Sequence, residues 1–400
     1  MAALTTPWSK HHKKVTRAAA GGLPYSLSNS FAQPLTNVEL LSMTKDRGDV
    51  ELLEEWSNHS LEYTPNGGSE DLRVEIAKLY GDAISAANVL VFPGAQVALQ
   101  TAAFAFASNS HTIVFTPGYQ STVQAPLHAG GAVTNVPLSP SDSFTINLQT
   151  LQNAITPDTK YIVINQPYNP AGTLMTHSQY SSFLSLILSF NSGSITILSD
   201  EVYRLLEHSP ARRLPSIVDS YPNGISCVTM SKPWGACGVT IGWLVSPNLS
   251  AIEKLKDVQY FGTACPSRAS EIQAIMVLKS SDKILERNLK IINENKVLLN
   301  RFMEKFMEYF TWNVPDAGAT CFIDCLPLSS AILGAELAEV GIGVKPAYCF
   351  CEEVYEEIEG YFRVGYGERG FKERLEKLEE FVEGKREEWD EILKNGERRR

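Results

Sequence analysis

The 400-residue sequence predicts an α/β fold, a doubly wound and mostly parallel sheet followed by a smaller α+β region. Three observations carry this. Short apolar runs rich in β-branched residues recur between residues 89 and 245, with helix-like stretches separating several of them. Strands that alternate with helices build parallel sheets covered on both faces. After about Pro266 longer amphipathic stretches take over, and the whole length is too great for one small core but suits two domains.

Taken in order, residues 1–48 read as an irregular N-terminal arm, with prolines at 7, 24 and 34. A helix is expected over 69–80, because Leu72, Ile76, Leu79 and Tyr80 share a face and Ser69 can cap it. Strands are expected at 89–92, 112–115, 161–165, 195–198, 226–229 and 241–245, and an alanine-rich helix at 95–107. Residues 267–310 predict one or two long helices with Ile272, Ile275, Met276 and Leu278 on the apolar face. Strands follow near 320–323, 343–345 and 361–364. A charged helix over 370–394 closes the chain and buries Leu375, Leu378, Phe381 and Val382. The domain boundaries expected are 1–48 for the arm, 49–265 for a large domain and 266–400 for a small one.

A net charge of −10 argues against a nucleic-acid partner, since phosphate backbones select basic surfaces. The basic clusters Lys10 to Lys14 and Arg398-Arg399-Arg400 read as solvated tails. The first acidic residue is Glu39, so the N-terminus resembles a transit peptide faintly; an extended arm is the preferred reading. Seven scattered cysteines, with no CxxC pair, read as free thiols in a reducing compartment and so in the cytoplasm. No apolar run approaches the ~20 residues of a membrane helix. Histidines 59, 111, 128, 177 and 208 lack metal-ligand spacing and are expected to be structural or exposed.

The chemistry concentrates in two segments. Ser199-Asp200-Glu201-Val202-Tyr203 follows one expected strand, and Thr229-Met230-Ser231-Lys232 follows the next, with Gly235, Gly238 and Gly242 beyond it. An aspartate at a strand end, a tyrosine a helical turn further on and a lysine in a turn of small residues suit pyridoxal phosphate, whose ring takes up electrons from a substrate Cα. Asp200 also has the simpler reading of a helix N-cap. Four more motifs stand in order around these segments. They are Val91-Phe92-Pro93-Gly94-Ala95-Gln96, Pro117-Gly118-Tyr119, the eight residues from Asn165 to Gly172, and Tyr361-Phe362-Arg363-Val364-Gly365.

In this order, from about Tyr63 to Gly367, the chain resembles fold-type I pyridoxal-phosphate enzymes of the class I/II aminotransferase group. The resemblance implies that Lys232 carries the cofactor as an internal aldimine and then moves the proton between Cα and C4′. It implies that Asp200 pairs with the pyridine nitrogen, that Tyr203 and Asn169 share the phenolic oxygen, and that Tyr119 stacks on the ring. Gly94, Ala95, Gln96, Thr229 and Ser231 would hold the phosphate, helped by Tyr63 of a neighbouring subunit, so that a homodimer with shared active sites is implied. Arg363 would grip the α-carboxylate of an amino acid substrate. Asn169 and Ser28, in the serine-rich stretch 25–30 that is similar to capreomycidine-synthase-like members, would line the substrate side. Thr240 departs from the family, standing eight residues after the lysine where an arginine usually pairs with the phosphate. Weaker cofactor binding is expected, or a substitute cation, with Arg268 the first candidate.

The function implied is amino transfer between an amino acid and a 2-oxo acid. A lyase or cyclase of specialised metabolism, acting by elimination or substitution on an amino acid or S-adenosylmethionine, would use the same residues. A regulator built on this fold is a third reading, but residues 1–62 lack a basic recognition helix.

Overall fold

The computed structural model describes residues 22–190, 194–263, 265–396 and 398–399. β1 (Tyr25–Ser26) opens it, followed by helices α1 (Asn37–Asp46), α2 (Val50–Asn58) and α3 (Glu70–Ala77). Strands and helices then alternate: β2 (Val89–Phe92), α4 (Ala95–Phe106), β3 (His111–Thr116), α5 (Gln120–His128), β4 (Ala132–Pro137) and α6 (Leu148–Ala154). The alternation continues with β5 (Thr159–Asn165), α7 (His177–Ser189), β6 (Thr196–Asp200), α8 (Ile217–Ser220), β7 (Gly224–Thr229) and β8 (Gly242–Val245). Helices α9 (Leu249–Gly262), α10 (Arg268–Lys279) and α11 (Ser281–Lys305) come next. The chain ends with β9 (Phe310–Trp312), β10 (Thr320–Cys325), α12 (Ser330–Glu339), β11 (Ile342–Gly343), β12 (Lys345–Pro346), β13 (Tyr361–Gly365) and α13 (Phe371–Lys394).

The large sheet has seven strands in the order β2-β8-β7-β6-β5-β3-β4. Only β8 runs antiparallel to its neighbours. The strand sequences explain its burial on both faces. Val89 and Val91 enter one apolar cluster while Leu90 and Phe92 enter another on the opposite face. In β5, Ile162 and Ile164 alternate in the same way with Tyr161 and Val163. Helices α4, α5 and α9 contribute to the second of these clusters, and α1, α3, α6, α7 and α10 to the first. The smaller sheet is antiparallel, in the order β12-β13-β10-β9. Its core joins α11, α12 and α13, and includes Leu375, Leu378, Val382 and Trp389, with Phe381 packed at the edge.

Several expectations need correction. Residues 37–46 are helical, not irregular: the Thr36 hydroxyl accepts from the Glu39 N–H, and the Glu39 carboxylate accepts from the Thr36 N–H. β1 pairs in parallel with β11, so the N-terminal segment is a strand of the small-sheet side. Ser69 sits at the start of α3 but its hydroxyl does not cap; it accepts from Arg268 instead. β4 and α5 were not expected; β4 is an edge strand with a single buried residue and no apolar run. Arg398 and Arg399 are not solvated tails. Arg398 forms a two-pronged pair with Asp324 at 2.8 and 2.9 Å, and Arg399 pairs with Glu336 and Glu388. Lys10 to Lys14, Arg400 and the transit-like stretch before residue 22 lie outside the described residues.

All seven cysteines are unpaired thiols. His111 bridges the hydroxyls of Thr159 and Thr134, and His208 lies between the carbonyls of Pro315 and Gly318. Among the described residues, no helix is long and apolar enough to cross a membrane.

Candidate active site

The parallel strands β2, β3, β5, β6 and β7 all end on one side of the large sheet, where open α/β sheets receive ligands. A cavity of about 290 Å³ opens there and is closed from the other side by the small sheet. Each strand delivers a side chain at its carboxyl end. β6 delivers Asp200, and Val202 and Tyr203 follow in the turn. β7 delivers Thr229, then Ser231 and Lys232. Tyr119 follows β3 and Asn169 follows β5.

At one end the chain turns at Gly94, with φ of 92°, directly into α4. No side chain caps this helix, so its first N–H groups are left uncapped at the cavity end that Gly94, Ala95 and Gln96 line. β8 packs behind the turn so closely that a Cβ on Gly242 would lie 2.5 Å from the Ala95 nitrogen. Thr229 donates to the Ile241 carbonyl, and the Ser231 hydroxyl lies 3.5 Å from that of Thr229. Thr240, exposed and left-handed with φ of 55°, completes this end.

In the middle, Lys232 Nζ donates to Ser30 Oγ at 3.2 Å. Burial pulls the Lys232 pKa below that of an ordinary lysine. Asp200 is 2% exposed, and burial pushes its carboxyl up to about 7, against the opposing pull of the Val202 N–H and of Lys232. Tyr203 is buried beside it, and burial raises its phenol.

At the far end stands Arg363, 2% exposed. Its Nη1 donates to Asn169 Oδ1 at 2.8 Å and its Nη2 to the Ser28 carbonyl at 2.7 Å. Its Nε is buried without a partner. Among the described residues no carboxylate pairs with this guanidinium. A buried cation without a counter-ion is a strong demand for an anion. Because Asn169 Oδ1 is taken by Arg363 and its N–H by Asn165 Oδ1, its Nδ2 is the group left to donate into the cavity. Free helix N–H groups, a lysine of lowered proton affinity, a buried aspartate and an unneutralised arginine in one cavity fit pyridoxal phosphate together with an acidic substrate group.

The cavity thus gathers Gly94, Ala95, Gln96, Tyr119, Asn169, Asp200, Tyr203, Thr229, Ser231, Lys232 and Arg363, all expected from the sequence. Ser28 is a correction. Its hydroxyl faces Ser26 Oγ at 2.9 Å and only its carbonyl serves the site, while Ser30, two residues on, lines the cavity. Arg268 is another. Its guanidinium is committed to Glu55, Asp71 and Glu271 and does not reach the phosphate end. Tyr63 is 91% exposed and outside the cavity. Lys345 and Cys237 also line it and were not expected. Lys345 carries no motif, and only its strand partnership with Arg363 marks it.

Comparison with known proteins agrees with this fold. Residues 48–378 match the family described as aminotransferase class I and II. An aspartate aminotransferase of Pyrococcus abyssi is 24% identical over 345 residues, covering 80% of this chain and 82% of that protein. One from Sulfolobus acidocaldarius is 27% identical over 237 residues, 56% of each chain. Among solved structures, a PLP-dependent aminotransferase from Streptococcus suis superposes with a TM-score of 0.85 at 24% identity, over 95% of this chain and 98% of that one. An aspartate aminotransferase from Thermotoga maritima gives a TM-score of 0.77 at 22% identity, over 94% and 96%. The family match spans most of the sequence, and the chain therefore belongs to the class I and II aminotransferases, pyridoxal-phosphate-dependent transferases.

Proposed function

We propose that this enzyme moves an amino group from an amino acid to a 2-oxo acid, with Lys232 as the residue that bonds the cofactor and then moves the substrate proton. The observation that carries the reading is Arg363, a buried and unneutralised guanidinium in the same cavity as Lys232 and Asp200. Bound pyridoxal phosphate supplies a ring that takes up the electron pair left when a bond to the substrate Cα breaks. Arg363 binds the substrate α-carboxylate as a fork and so orients the Cα–H bond. Lys232, whose amine loses its proton more readily than usual because it is buried, accepts the Cα proton and returns it on the far side of the transfer. Asp200 would pair with the ring nitrogen and keep it protonated, a role that its own high proton affinity makes dependent on that partner's charge. Tyr203 and Asn169 would hold the phenolic oxygen, and Tyr119 would cover the ring. The start of α4, Gln96, Thr229 and Ser231 would hold the phosphate, with the Thr240 hydroxyl at the position where the family resemblance implies an arginine.

The exposure of Tyr63 and nearby Leu61, 91% and 94%, supports a homodimer in which Tyr63 reaches the partner's phosphate. The unpaired cysteines support a reducing, cytoplasmic setting.

The test has two parts. Borohydride reduction of the holoenzyme followed by peptide mapping should place the cofactor on Lys232, and Lys232→Ala should carry no reducible cofactor. A second lysine labelled in the variant would sink the assignment. One amino acid alone should bleach the holoenzyme's visible absorbance, and a 2-oxo acid should restore it. Release of an eliminated or cyclised product without bleaching would make the enzyme a lyase.

A further inference from the structure

Tyr203 and Asn169 stand on two separate turns of the large sheet, yet one short segment from the small-sheet side lies against both turns. Residues 315–318 lead into β10. On one side the N–H groups of Asp316 and Ala317 donate to the Gly172 carbonyl at 2.8 and 3.0 Å, just past the turn that carries Asn169. On the other side the Gly318 N–H donates to the Leu206 carbonyl at 2.9 Å, and Ala317 bridges Glu207, directly after Tyr203. A Cβ on Gly318 would lie 3.3 Å from Tyr203 Cδ1, so the backbone of this segment rests on the tyrosine ring. The segment is a strap across both turns.

His208 fastens the strap. Its N–H donates to the Asp316 carbonyl at 2.9 Å. Its ring spans the ends of the strap, with Nε2 3.0 Å from the Gly318 carbonyl and Nδ1 3.1 Å from the Pro315 carbonyl. Two carbonyls call for two donors, and a neutral imidazole has one. Lys296, on α11, supplies the other: its Nζ donates to the Pro315 carbonyl at 2.6 Å and lies 3.0 Å from His208 Nδ1. The ring then donates from Nε2 to Gly318 and accepts at Nδ1 from the lysine. Burial holds the His208 pKa below its ordinary 6.5, which favours this neutral form. The Asp316 carboxylate is taken by Arg212 at 2.9 Å. Both ring nitrogens of His208 are spent on the strap, and the ring does not line the cavity.

We propose that His208 is a positioning residue of the reaction: by fastening the strap over Tyr203 and Gly172 it sets how Tyr203 and Asn169 meet the phenolic oxygen of the cofactor. The inference rests on the roles given to those two residues above.

The test compares wild type with His208→Phe, which keeps a ring and donates nothing, and with His208→Gln, whose amide can still donate to the Gly318 carbonyl. Amide hydrogen exchange on cofactor-free protein should show residues 316–318 exchanging about 10-fold faster in His208→Phe, the worth of one lost hydrogen bond, and near the wild-type rate in His208→Gln. In the holoenzyme, donors to the phenolic oxygen favour its negative charge, so slackening them should raise the pH at which the visible absorbance titrates. We expect a rise of about one unit in His208→Phe and little change in His208→Gln. Lys296→Met, which leaves the ring in place, should shift both readings the same way. A His208→Phe holoenzyme that titrates as wild type overturns the proposal. So does faster exchange spread evenly over the whole chain, which marks a general loss of stability, and so does a His208→Gln variant that behaves as His208→Phe. Should His208→Phe not fold, Lys296→Met decides on the same two readings. Tyr203→Phe separates this inference from the one beneath it: if that variant titrates as wild type, the role given to Tyr203 fails and the proposal with it, whatever exchange shows for the strap.

Discussion

Asp200 keeps its carboxyl where water does not reach, and its proton affinity records this. In the protein without cofactor, its pKa of about 7 stands above the ordinary 3.8, so between those values the folded chain binds more protons than the unfolded one. Stability from this group is fully present below the ordinary value and is lost as pH rises to about 7. Urea unfolding of cofactor-free protein should show wild type losing on the order of 2–3 kcal/mol relative to Asp200→Asn between pH 5 and pH 8. A pH-independent difference between the two would contradict the shift. At this scale most of the site was legible, because Asp200, Thr229 and Lys232 stand at or just past the ends of strong apolar strands with telling neighbours. Ser28 was misjudged for Ser30 because a coil has no period to say which serine faces inward. Lys345 was missed because a two-residue strand leaves no pattern in sequence.

The start of α4 and the strand β8 form a unit. β8 begins at Gly242, whose missing side chain lets the Gly94 turn settle against the strand; a Cβ there would lie 2.7 Å from the Gly94 carbonyl carbon. Backbone cannot yield as a side-chain tip does, so Gly242→Ala must lift the helix start and misdirect its N–H groups. We expect cofactor to bind about 10-fold more weakly, in line with the ~0.3–2 kcal/mol of a helix-terminus contact, and the fold to lose about 1–3 kcal/mol. Cofactor titration and denaturant unfolding of the variant check both; wild-type cofactor affinity would show that the helix terminus does not set it. The central strands were legible because sheets buried on both faces need unbroken apolar runs. The antiparallel course of β8 was not, since direction leaves no trace in hydropathy.

At the level of the whole molecule, the chain's end is pinned to the small sheet. Arg398 meets Asp324 on β10, whose pKa is raised by burial even with the arginine beside it. Removing the arginine leaves that carboxylate buried and alone. Arg398→Ala should lower unfolding stability by about 1–3 kcal/mol, measurable in urea, whereas Arg398→Lys should recover part of the loss. No change in the alanine variant would mean that the pair is too well hydrated to matter. The basic letters at the terminus suggested a tail because sequence does not show which acid a charge will find in space.

The bond from Arg363 to the Ser28 carbonyl joins residues 335 positions apart, and this gives the enzyme a timetable. A nascent chain that has completed the seven-stranded sheet already owns Lys232 and Asp200, yet it has no grip on a carboxylate until the last stretch of the polypeptide emerges and closes onto the first. By the same link, proteolytic trimming past Ser28 removes one of the two acceptors that hold Arg363 and acts as an active-site lesion, although no residue of the cavity's large-sheet wall has been touched.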